Sequence, residues 1–98
     1  MIYTVIVPPE VKLEIEKQAR YYDSKTNHLG SEFLEVVNIH LKYLSKSPHF
    51  QIRYNEIRCL PTNKFPFLIH YIILEKAKTV LILGVIHTSK NPAKWPGK

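Results

Sequence analysis

The run Thr79-Val80-Leu81-Ile82-Leu83-Gly84-Val85-Ile86 is apolar at almost every position, with no alternation to separate a buried face from a wet one. A strand of that kind needs cover on both faces and belongs in the middle of a sheet. It also delivers His87 directly into a polar, basic tail, Thr88-Ser89-Lys90-Asn91-Pro92-Ala93-Lys94-Trp95. Groups at the end of a buried strand are held on a rigid support, so His87 and the tail are the first place to look for function.

The remaining residues must supply that sheet and its cover. Residues 2 to 7 read as a short strand ended by Pro8-Pro9, with Pro9 able to occupy the first turn of a helix. Val11, Ile15, Ala19 and Tyr22 recur at helical spacing to about Lys25, and Asn27-His28-Leu29-Gly30 supplies a turn. A second helical pattern, Phe33, Val37, Leu41 and Leu44, is stopped by Pro48. So short a link forces the two helices into an antiparallel hairpin. Beyond Pro48 the period becomes extended: a strand over Phe50 to Leu60, a turn at 61–64, a strand over Phe65 to Leu74, a turn at 75–78, and the strand Thr79 to His87. The expected fold is α+β, an antiparallel sheet in the order β-α-α-β-β-β with the helix hairpin packed on one face. Its other face is then partly open, a concave surface on which basic side chains can gather.

Residues 1–98 are expected to form a single domain. The lone Cys59 excludes an internal disulfide framework and fits a reducing cytoplasm. The N-terminal segment has no basic n-region and no small-residue cleavage site, and no apolar stretch is long enough to span a bilayer, so neither a signal peptide nor a membrane partner is expected. His28, His40, His49, His70 and His87 show no ligand spacing, and glycine-rich phosphate loops are absent; no metal and no cofactor is expected. The net charge of +6 is uneven: residues 1 to 35 hold four Lys and Arg against six Asp and Glu, residues 36 to 98 ten against two. A basic C-terminal part suits nucleic acid, a ribosome or an acidic protein partner.

A set of ordered pieces carries a more specific signal. Tyr21-Tyr22, Leu29-Gly30-x-x-Phe33, Ile57-Arg58, Phe65-Pro66-Phe67-x-Ile69-x-Tyr71 and Val85-Ile86-His87-x-x-x-Asn91-Pro92-x-x-Trp95 together resemble the RelE/ParE superfamily of bacterial toxins over nearly the whole chain. The resemblance implies a small cytoplasmic toxin of a type II toxin-antitoxin module, held inactive by a cognate antitoxin, as a homodimer or a toxin-antitoxin hetero-oligomer. It also implies one of two mechanisms. The RelE-like branch is a ribosome-dependent, metal-independent mRNA endonuclease, in which a 2′-hydroxyl loses a proton, a phosphate gains charge and a leaving oxygen gains a proton. The ParE-like branch inhibits DNA gyrase by binding it.

The sequence departs from the nuclease pattern at two places. Phe67 is followed by Leu68, where RelE-like nucleases carry an arginine for the scissile phosphate, and His87 by Thr88, where many relatives carry a second arginine. These departures favour a poison that acts by binding a target such as gyrase over the nuclease alternative; a non-toxic basic nucleic-acid-binding module ranks third. The candidate catalytic residues are His87 and Arg58. Arg53, Lys64, Tyr71, Lys90 and Lys94 are the candidates for contact with target or RNA, Tyr71 as a stacking surface. Tyr71 also reads as core with its hydroxyl satisfied, and His70, between Ile69 and Tyr71, as a satisfied sheet residue. Trp95 is expected to pin the tail to the sheet or the helix hairpin while Lys94 and Lys98 stay solvated.

Overall fold

The computed structural model describes residues 2–97. In chain order the elements are β1 (Thr4–Ile6), α1 (Pro9–Lys25), α2 (Leu29–Lys46), β2 (Ile52–Tyr54), β3 (Ile57–Pro61), β4 (Phe67–Leu74) and β5 (Thr79–His87), followed by a 3-10 turn at Pro92–Lys94. Lys98, expected to be solvated, lies outside the described residues.

Both helices form where the periodicity places them. Pro9 opens α1 with its fixed φ, Val11, Ile15 and Ala19 turn inward, and Lys25 in the last turn complements the carbonyl end. α2 buries Phe33, Val37 and Leu44 and stops two residues before Pro48. Residues 26–28 link the helices, with His28 in the left-handed region at φ 69°. Asp23 Oδ1 then accepts the Gly30 N–H at 2.7 Å, tying the end of α1 to the start of α2 and satisfying one of the free donors there.

The sheet runs in the order β1-β5-β4-β3-β2. β5 has a neighbour on each side, as its two apolar faces require. Two details differ from the expectation. The turn-linked strands β2 to β5 pair antiparallel, but β1 pairs with β5 in parallel, so the sheet is mixed. A tight turn dictates direction only for the strands it joins, and β1 reaches the sheet through two helices, which leave it free to enter either way. The stretch expected as one strand from Phe50 to Leu60 is two, β2 and β3, reversed at Asn55 and Glu56 with φ of 44° and 65°. Positive φ at both central residues is the hairpin geometry whose twist matches the strands, and a glutamate in the second place hides it from a sequence reading that looks for glycine.

Alternation along β4 divides its side chains. Phe67, Ile69 and Tyr71 enter the core beneath the helices, while Leu68 and His70 face the other way. Tyr22, Phe33, Phe65 and Phe67 form the aromatic centre, with ring centroids 5.0 Å apart for Tyr22–Phe65 and 5.1 Å for Phe33–Phe67. At the opposite margin, Glu75 joins β1, the β4–β5 turn and the segment after α2: Tyr3 Oη donates to Oε1 at 3.0 Å and His49 Nε2 donates to Oε2 at 2.7 Å.

The bonds from His49 and then Tyr3 hold the Glu75 carboxyl below its ordinary 4.5. A depressed carboxylate contributes stability that is complete above 4.5 and lost as pH falls through the lowered folded value. Urea midpoints of the native protein and Glu75→Gln are therefore expected to separate at pH 7 and converge as pH falls below 4.5. A constant separation across that range would assign the difference to packing instead.

Candidate functional site

β1 is short, and it covers β5 only along Thr79 to Leu81. Beyond that point α1 and the outer margin of β5 flank a cavity of about 460 Å³ lined by Glu10, Glu14, Gln18, Val85, His87 and Lys90. His87 pairs across the sheet with Phe67, which sets the imidazole edge-on at 5.1 Å between centroids. Its Nδ1 accepts the Ser89 backbone N–H at 3.0 Å and contacts Ser89 Oγ at 2.8 Å. With Nδ1 an acceptor, the neutral ring carries its proton on Nε2, an assignment made from the hydrogen-bond pattern. The ring is exposed and oriented, so it can donate a hydrogen bond to a ligand at the mouth of this groove.

A second cluster occupies the sheet face away from the helices. His70 is fully buried there, with Nδ1 3.0 Å from Tyr54 Oη and 3.6 Å from Cys59 Sγ. Trp95 packs on it and Arg53 lies over the Trp95 ring, 5.7 Å from guanidinium carbon to centroid. The expected anchoring of the tail by Trp95 is thus found, on the sheet. Burial raises the Tyr54 phenol, and it raises the Cys59 thiol against the opposing effect of Arg53; both groups are neutral at pH 7. Tyr54 and Cys59 escaped the sequence reading. The signal was there in β4, where His70 lies on the opposite face from Ile69 and Tyr71, but nothing local tells which residues of β2, β3 and the tail it meets.

The other expected residues are scattered. Arg58 projects on the helix side of β3, where Nη1 donates to Phe50 O at 2.7 Å and Nε is buried without a partner among the described residues. Its Cα partner is Tyr71, four residues along β4 from the partner of His87, so the Cα atoms of Arg58 and His87 lie roughly 16 Å apart by strand rise and spacing. Of the two expected readings of Tyr71, the core one is found and the stacking surface is not: it is 0% exposed and its hydroxyl donates to Pro48 O at 2.8 Å. A side chain enclosed on all sides offers no face to a base. Lys64 is exposed and pairs with Glu32 at 3.2 Å. Lys94, in the 3-10 turn, is exposed as expected. The fold therefore brings His87 and Lys90 to one groove with Glu10 and Glu14, and Arg53 to the tail that carries Lys94, while Arg58 lies apart from His87. No group of three or more His, Cys, Asp or Glu side chains that could hold a metal occurs among the described residues, nor any helix long and apolar enough to cross a membrane.

No protein-family model and no curated protein sequence matches this chain. Solved structures do. A chain from the chromosomal ParDE toxin-antitoxin system of P. aeruginosa superposes with a TM-score of 0.77 at 12% identity, covering 90% of this chain and 98% of that one. The E. coli toxin RelE, as a free variant with two arginines replaced by alanine, superposes with a TM-score of 0.70 at 15% identity, covering 91% of this chain and 86% of that one. At these identities the likeness is one of fold: the chain has the α+β fold shared by ParDE and RelE proteins, as its ordered motifs led one to expect.

Proposed function

We propose that this chain is the toxin of a type II toxin-antitoxin module, that it acts in the cytoplasm, and that it arrests growth by occupying an essential target of the DNA gyrase class. A cognate acidic antitoxin holds it inactive in a hetero-oligomer. The fold likeness supports the toxin reading, and the basic C-terminal part supports an acidic partner. The observation that carries binding over cleavage is the separation of His87 from Arg58. A nuclease needs its proton-transfer group and its phosphate cation within hydrogen-bond reach of one phosphodiester. Here Arg58 is engaged with Phe50 O on the helix side, and Leu68, in place of an arginine, is buried.

One feature favours the ribosome-dependent mRNA endonuclease as second reading: the oriented, exposed His87 with Lys90 beside the same groove. The two make opposite predictions for His87→Ala. A general acid or base removed from a nuclease costs roughly a hundredfold or more. For a poison that acts by occupancy, His87→Ala is expected to leave growth-inhibitory potency within about threefold, because only peripheral contacts are lost. Purified protein added to translating ribosomes is expected to leave messenger RNA uncut, and induction in cells to stop DNA replication before translation. Cleavage in codon register that disappears in His87→Ala would overturn the binding reading.

A further inference from the structure

Residues 91–97 fold back across the sheet face opposite the helices. Trp95 sets its ring 4.9 Å from that of His70 at 74°. Tyr54 Oη donates to Pro96 O at 2.7 Å, and Asn55 Nδ2 donates to Gly97 O at 3.3 Å. A Cβ built at Gly84 would stand 3.5 Å from Pro96 Cγ, an ordinary contact distance, so the tail passes directly over β5 at this point.

The protons in this contact can be assigned. A phenol has one, and Tyr54 gives it to Pro96 O, so the 3.0 Å contact with His70 requires Nδ1–H as donor and Tyr54 Oη as acceptor. Neutral His70 therefore has a bare Nε2, and that atom is buried with no partner among the described residues. A second proton can go only there, where it would create a charge and an N–H without an acceptor. Among the described residues, the groups around the ring include no anion: Arg53 and Tyr54 come from β2, Cys59 from β3 and Trp95 from the tail, while the residue opposite on β5 is Gly84. Trp95 Nε1 is also buried with no partner among the described residues, and two unpaired polar atoms there weaken the closed arrangement.

We propose that residues 91–97 are a strap whose closure over the sheet is conditional on a neutral His70, so that mild acid releases it and bares the surface formed by Arg53, Tyr54, Cys59 and His70. Burial, and then the charge of Arg53, pushes closed-state His70 down from 6.5 to about 4. Once the strap lifts, the burial it provides is removed while Arg53 stays on β2, so the ring titrates between about 4 and 6.5. The closed form binds fewer protons, so closure is undiminished above 6.5, weakens by at most about tenfold per pH unit below the open-form value, and by no more than roughly 300-fold in all. This device is independent of the toxin's target.

Trp95 is the single tryptophan of the chain, so its emission reports the strap. Between pH 7.5 and 4.5 that emission is expected to shift to the red and become more quenchable by acrylamide, with far-UV circular dichroism unchanged. His70→Asn retains an N–H near the position of Nδ1 but does not titrate, and is expected to hold Trp95 in place across the range. The imidazole C–H resonance of His70 in the native protein is expected to change with the same midpoint as the emission, a measurement that stands even if His70→Asn does not fold. Constant Trp95 emission down to pH 4.5, the same red shift in His70→Asn, or a His70 midpoint unrelated to the emission would each overturn the strap.

Discussion

Reversing charge at Arg53, Lys90 and Lys94 together, as R53E, K90E and K94E, is expected to lower growth-inhibitory potency by about 100-fold or more while leaving the fold in place. The three side chains follow the course of the tail from one side of the sheet to the other: Lys90 at the β5 groove, Lys94 in the 3-10 turn, Arg53 of β2 over Trp95. None is part of the helix-side core. If potency depends on occupying an acidic target, the loss appears in affinity and shrinks as salt rises, because exposed charges are screened. If the proposed acidic antitoxin uses the same charges, the triple variant is also expected to bind it more weakly in a calorimetric titration. Full potency retained in the triple variant would remove electrostatic occupancy as the mechanism and return attention to His87.

Gly30→Ala is expected to cost about 3 kcal/mol of stability, the largest loss for a methyl added at any of the three glycines. A Cβ at position 30 would overlap the Ala19 carbonyl oxygen and stand 2.7 Å from Asp23 Cγ. Asp23 could rotate away, but then the 2.7 Å bond to the Gly30 N–H is lost; the Ala19 oxygen belongs to a helix backbone and cannot yield unless α1 and α2 separate. Separation would loosen Tyr22 and Phe33 from Phe65 and Phe67, the aromatic centre on which the sheet rests. Urea denaturation measures the difference; a loss below about 1 kcal/mol would mean that the helices can part at little cost. If the chain is the proposed toxin, its potency in cells is expected to fall through reduced abundance of folded protein, which distinguishes this variant from the charge reversal.

The sequence alone determined the parts of the molecule that depend on near neighbours in the chain. Val11, Ile15 and Ala19 on one stripe and Phe33, Val37 and Leu44 on another made the helices and their hairpin legible, because a helical face repeats every few residues. The unbroken apolar run of β5 correctly placed it between two strands, and the lone Trp95 in a polar tail correctly marked an anchor. Tertiary structure decided whatever depends on register between distant segments. β1 enters the sheet parallel because no turn constrains it. Arg58 and His87 stand apart because each follows its own strand's partner on β4, Tyr71 for one and Phe67 for the other. Tyr71 and His70 are adjacent in sequence yet meet different worlds, the aromatic core and the tail, since successive side chains on a strand point to opposite faces. Burial of His70 against Tyr54, Cys59 and Trp95 needs three separate segments to converge on one ring, and no local pattern of residues encodes that meeting.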